Sequence, residues 1–133
     1  MAGDRRLAVA RVLVVEDDSG VQAVLVGALT DESYLVETAG SGEAALDLLD
    51  GAGRGGAFLP DVILLDIKMP GMGGLAFAEA YRRRPGRHAP IIVITASARL
   101  AEIAGNIGPA DVVQKPFELV DLLERIAAVL RTT

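Results

Sequence analysis

The chain has 133 residues, of which 51% are apolar, a size that suits one domain burying roughly two-thirds of its unfolded surface and predicts no second core. A net charge of −5, three Phe, two Tyr and no Trp exclude the basic footprint and aromatic stacking platform of a nucleic-acid binder, so no nucleic-acid partner is expected. Cysteine is absent, which excludes disulfides, thiolate metal ligands and a cysteine nucleophile and fits the cytoplasm.

At the start of the chain Arg5-Arg6 precede Leu7-Ala-Val-Ala10, a string resembling a signal peptide, but Arg11 ends the apolar run too early. No window approaches the ~18 apolar residues of a membrane span, so a soluble protein without a membrane partner is expected. Val12 to Val15 reads as a short buried strand. Val21, Val24, Leu25, Ala28 and Leu29 then recur at helical spacing behind Asp18 or Ser19 as cap. Tyr34 to Thr38 reads as a second strand, and Ser41 caps a helix carrying Ala45, Leu46 and Leu49. Val62 to Leu65 is a third strand, and a helix over about 75–84 places Phe77 and Tyr81 one turn apart. Ile91 to Ile94 is a fourth strand, a weak helix covers 98–107, and Val112-Val113 centres a fifth strand. Leu119, Leu122, Leu123, Ile126 and Leu130 stripe a last helix. Strands alternating with helices five times predict an α/β protein, a three-layer sandwich around a parallel sheet. No internal repeat or dividing linker is present.

Three apolar strands end in charged residues, at Glu16-Asp17-Asp18, at Asp66 and at Lys115, and the fourth ends at Thr95. In a parallel sheet these residues meet at one edge. Gly71, Gly73 and Gly74 let the chain turn sharply away after Asp66. Three converging carboxylates repel one another, and a hard divalent cation such as Mg²⁺ relieves that repulsion while bridging carboxylate to phosphate oxygens. A phosphoryl group on Asp66 would meet metal on one side and the Thr95 hydroxyl and Lys115 ammonium on the other. Taken singly, each residue has an ordinary reading: Asp66 as a turn residue, the acidic triplet as a solvated cap, Thr95 as a strand residue, Lys115 as a surface charge. Their conjunction at four strand ends is what points to a site.

These residues resemble the receiver domain of two-component response regulators over about Arg11 to Leu130. The resemblance rests on Glu16-Asp17, on Asp66 within Leu64-Leu-Asp-Ile-Lys-Met-Pro-Gly, on Thr95-Ala96 and on Lys115-Pro116-Phe117. It implies the flavodoxin-like sheet order 2-1-3-4-5 with five helices. It also implies that Asp66 is the phosphoacceptor for a histidine kinase or phosphotransfer protein. By the same resemblance Asp17, Asp66 and the main-chain carbonyl of Lys68 hold Mg²⁺, Glu16 helps through water, Thr95 and Lys115 contact the phosphoryl oxygens, and the Lys115-Pro116 bond is cis. The output is then binding to a downstream target protein.

The chain departs from the pattern at Val112, three residues before the lysine, where the family often has Tyr or Phe; a ring-rotation switch is impossible there. Gly105, Gly108 and Pro109 weaken the helix before it, so activation is expected as an order change over 96–110. Gly51-Ala-Gly-Arg-Gly-Gly56 matches G-x-G-x-x-G but follows a helix and precedes a strand, the reverse of a dinucleotide site, and reads as a lengthened loop. Arg82, Arg83, Arg84 and Arg87 cluster where positive charge suits a helix C-terminus, and His88 stands alone as the only histidine.

Three alternatives stand beside the receiver reading. A haloacid-dehalogenase-type phosphatase wants an acid two positions after the nucleophile, where this chain has Lys68, so an enzyme turning over external substrate is not expected. A flavin binder wants a phosphate loop where Glu16, Asp17 and Asp18 stand. A phosphorylation-independent binding module is opposed by the intact Asp66, Thr95 and Lys115. One receiver domain without an output domain is expected.

Overall fold

The computed structural model describes residues 9–51, 55–67 and 73–132. Five strands, β1 (Arg11–Val15), β2 (Leu35–Ala39), β3 (Val62–Asp66), β4 (Ile91–Thr95) and β5 (Asp111–Gln114), form one parallel sheet of order β2-β1-β3-β4-β5. Between and after them run α1 (Ser19–Asp31), α2 (Gly42–Asp50), α3 (Gly74–Arg83), α4 (Ala98–Ala104), a 3₁₀ turn at Gly105–Ile107, and α5 (Leu119–Arg131).

The three central strands are apolar on both sides because helices cover both faces. Leu13, Val15, Ile63, Leu65, Ile91 and Val93 pack with Ala45, Leu49, Phe77, Tyr81 and Ala104, so α2, α3 and α4 share one face. Val12, Val14, Val62, Leu64, Ile92 and Ile94 pack with Leu25, Leu29, Leu122, Ile126 and Val129 of α1 and α5 on the other. The core is aliphatic apart from Phe58, Phe77 and Tyr81, as the scarcity of aromatic residues requires.

Caps explain the element starts. Asp18 accepts from the Val21 N–H at 3.0 Å, Ser41 from Ala44 at 3.1 Å and Ser97 from Leu100 at 3.1 Å. Gly51 ends α2 in the left-handed region (φ 77°), where a Cβ would lie 2.6 Å from the backbone of Gly56 and Ala57, so the glycine is required. Residues 52–54 of that loop lie outside the described residues.

Three expectations shift. The second strand starts at Leu35 because Ser33 adopts a positive φ (69°) and the Tyr34 N–H bonds the Leu29 carbonyl, holding Tyr34 in the turn that closes α1. Val24, placed by its spacing on the core stripe of α1, is 57% exposed, since the buried strip is only Leu25 and Leu29 wide. Val129 joins the buried face of α5, while Leu119, Leu123 and Leu130 are only half-buried. The weak fourth helix is indeed short, its last turn relaxing to 3₁₀ before Gly108 in the left-handed region. Among the described residues no helix is long and apolar enough to cross a membrane.

Candidate functional site

The register levels the carboxyl ends of the strands. Val15 pairs with Leu65, Asp66 with Ile94 and Thr95 with Gln114. Main-chain bonds carry the alignment one residue further, from the Glu16 N–H to the Ala39 carbonyl at 2.9 Å and from the Lys115 N–H to the Thr95 carbonyl at 2.8 Å. Glu16, Asp17, Asp66, Thr95 and Lys115 therefore converge at one edge, as their places at strand ends predict. The Lys115-Pro116 bond is cis.

The acidic triplet divides its work. Asp18 is the α1 cap, and its own N–H bonds a Glu16 carboxylate oxygen at 3.1 Å. Glu16, 3% exposed, turns inward, while Asp17 stays at the solvent side. One carboxylate oxygen each from Glu16, Asp17 and Asp66 lies within 4.8 Å of the others. Lys115 enters this group from β5, with Nζ 2.8 Å from Glu16 Oε1 and 3.4 Å from Asp66 Oδ2. Burial pushes the Glu16 carboxyl above its usual range, and the nearby Asp66 charge adds to the rise against the pull of Lys115 and the Asp18 N–H. For Lys115 burial pulls downward, but the bonds and charges of Glu16 and Asp66 outweigh it and hold the ammonium above its usual value.

Asp66 is 6% exposed and Thr95 fully buried. Thr95 Oγ1 accepts the Ser97 N–H at 3.2 Å, which leaves its own proton for a further acceptor. All of the donors that could hold a metal among the described residues are hard carboxylate oxygens, contributed by two adjacent strand ends, and this set fits Mg²⁺ rather than a softer ion. The main-chain carbonyl of Lys68 and the glycine at 71 lie outside the described residues.

Two supporting residues escape a reading by sequence. The Gln22 side chain donates to the Glu16 main-chain carbonyl from the first turn of α1, tying down the backbone of the residue whose carboxylate turns inward. Ser97 links Thr95 to the start of α4. Ser97 carries the signature of a cap ahead of a helical stretch; nothing in the sequence distinguishes Gln22 from any other residue of a first helical turn.

Comparison with known proteins matches residues 12–127 to the family model of the response regulator receiver domain. The "Response regulator MprA" of Mycolicibacterium vanbaalenii is 39% identical over 125 residues, covering 92% of this chain and 51% of that protein. The protein of the same name from Mycobacterium avium is 38% identical, covering 92% of this chain and 52% of its own length. The chain thus spans about half the length of these curated relatives. Among solved structures, a putative response regulator from Chloroflexus aurantiacus superposes with a TM-score of 0.82 at 28% identity, covering 93% of this chain and 99% of that one. The chemotaxis response regulator CheY4 of Vibrio cholerae gives 0.78 at 30% identity, covering 92% and 99%.

Proposed function

The chain belongs to the response regulator receiver domain family, and from that premise we propose that it accepts a phosphoryl group on Asp66 from a histidine kinase or phosphotransfer protein. The phosphorylated form then signals by binding a downstream protein. The observation that carries this reading is the Lys115 ammonium held between Glu16 and Asp66, with Asp17 completing a carboxylate cluster at the same strand ends.

An Asp66 carboxylate oxygen forms the new bond to phosphorus as the P–N bond to the donor imidazole breaks. The imidazole nitrogen keeps the electron pair and takes a proton from solvent. Thr95 turns its hydroxyl proton to one phosphoryl oxygen, and Lys115 moves its ammonium to another. Asp17, Asp66 and the Lys68 carbonyl would hold Mg²⁺, with Glu16 reaching it through water. When bound, that ion neutralises charge that the carboxylates and phosphoryl oxygens share. The receiver core is residues 11–130, works in the cytoplasm, and performs only its own phosphotransfer and slow dephosphorylation.

Incubation with Mg²⁺ and acetyl phosphate should add one acid-labile phosphoryl group by intact-mass spectrometry. Asp66→Asn should remove it; equal labelling of that variant would place the acceptor elsewhere.

A further inference from the structure

The cations of this acidic protein are unevenly spread. Arg82, Arg83, Arg84, Arg87 and Arg99 fall on α3, its exit loop and α4 in a chain of net charge −5. Arg84 is committed to Asp50 at 2.5 Å. Arg82 and Arg83 instead line a groove of about 470 Å³ between α3 and α4, together with Leu75, Glu79, Ile103 and Ile107. Ile103 is 36% exposed, and Leu75 and Ile107 are half-buried. On α3, Leu75, Glu79, Arg82 and Arg83 follow helical spacing along one side, and on α4 Arg99 lies one turn before Ile103. An apolar floor is therefore bordered by two guanidinium groups of α3, with Glu79 the one acid among the lining residues.

We infer that this groove docks an acidic amphipathic segment of a downstream protein. The segment's apolar side chains rest on Leu75, Ile103 and Ile107, and its carboxylates meet Arg82 and Arg83. Charge complementarity selects this occupant: an apolar strip beside arginines suits an apolar strip beside carboxylates, in the helix-in-groove mode. A nucleic-acid partner would meet a protein of net charge −5 and would leave the apolar floor unused.

The groove is also tied to Asp66. Thr95 holds the Ser97 N–H, Ser97 caps α4, and α4 carries Ile103. At the far end Arg82 bonds the Gly108 carbonyl at 3.0 Å. Drawing Thr95 toward a phosphoryl group frees the first turn of α4 while its far end stays braced on α3, so the groove changes width. This coupling rests on the phosphoacceptor reading of Asp66; the docking does not.

The test uses the whole chain, ¹⁵N-labelled, with a synthetic amphipathic helix bearing leucines on one face and glutamates beside them. The peptide should shift the amides of Leu75, Arg83, Ile103 and Ile107, and beryllofluoride should change its affinity several-fold. Arg83→Glu should weaken it about tenfold while acetyl phosphate labelling of Asp66 is unchanged. Docking is overturned if the peptide shifts α1 or α5 instead, or if Arg83→Glu binds equally. It is also overturned if duplex DNA moves the groove amides more strongly than the peptide, or if protein concentration alone moves them, which would make a second copy the occupant. Peptide affinity indifferent to beryllofluoride, with Asp66 and Thr95 amides responding to it, overturns the coupling. Failure of those two amides to respond counts against the phosphoacceptor reading and leaves the docking result intact.

Discussion

Burying a carboxylate disfavours its charged form, and at Glu16 that cost is offset by an ammonium 2.8 Å away. The two groups put pH dependences of the same sign but in different windows into one contact. Because burial raises the Glu16 pKa above 4.5, the stability it contributes as a neutral group is present below that value and is lost as pH rises through the folded pKa. Lys115, raised above 10.5, contributes stability throughout the range below that and loses it only as pH rises past its folded value. Lys115→Met should therefore destabilise the fold at neutral pH by about 2 kcal/mol, toward the low side for a broken buried pair because the lysine keeps 24% of its surface in water. Part of that loss should return in thermal melts as pH falls from about 8 to about 5, where Glu16 takes up a proton more readily in the variant. A loss that is the same across that range would mean the lysine acts through packing alone. Asp17 gives a second residue-level expectation. Mg²⁺ at a hundred times its dissociation constant should stabilise the protein by about 2.7 kcal/mol, and Asp17→Ala should remove most of the increment at matched ionic strength. Glu16, Asp17, Asp66, Thr95 and Lys115 were legible because each directly ends an apolar strand. Gln22 was not, since a side chain reaching back to a carbonyl depends on how the finished helix is aimed.

Among the elements, α3 begins where space is tightest. A Cβ on Gly74 would lie 2.4 Å from the Ile67 Cα and 2.6 Å from the Asp66 carbonyl oxygen, so helix and strand end approach as closely as glycine allows. Gly74→Ala should cost about 1–3 kcal/mol in denaturant unfolding. It should also slow acetyl phosphate labelling, because the backbone that must yield carries Asp66; unchanged labelling in a destabilised variant would separate the two effects. Element types and order followed from period and caps, with boundaries within about a residue or two. The width of a buried stripe did not follow. Spacing put Val24 and Leu25 on the same face of α1, but the sheet reaches only one of them, and Val129 is buried because α5 is rotated slightly from its leucine pattern. Periodicity gives direction around a helix, whereas contact depends on the surface opposite.

For the molecule as a whole, the central strands of the parallel sheet are buried and the shortest α-helix among the described residues lies over β4 and β5. α4 is seven residues long and passes into a 3₁₀ turn and a left-handed Gly108. Val112, half-buried beside this segment, has no ring to swing when Thr95 moves. Hydrogen exchange with and without beryllofluoride should accordingly change most over residues 96–110. Unchanged protection there, with the main response on α1 or α2, would contradict this. The sheet order was legible only through the family resemblance, because alternation of strands and helices fixes a three-layer stack but not which strand lies at its edge.

The edge position of β5 has a consequence for how the protein comes into being. Lys115 arrives 49 residues after Asp66 and 99 after Glu16, so during synthesis the acids are present well before their cation. An assembly of β1 to β4 alone would have to bury Glu16 and Asp66 beside each other with no ammonium between them. Closing the acidic edge and docking the last strand are thus one event. A chain interrupted before Asp111 lacks both the strand that pairs with β4 and the charge that makes the site tolerable, and it should persist as an open, protease-sensitive species with no half-built acceptor in it.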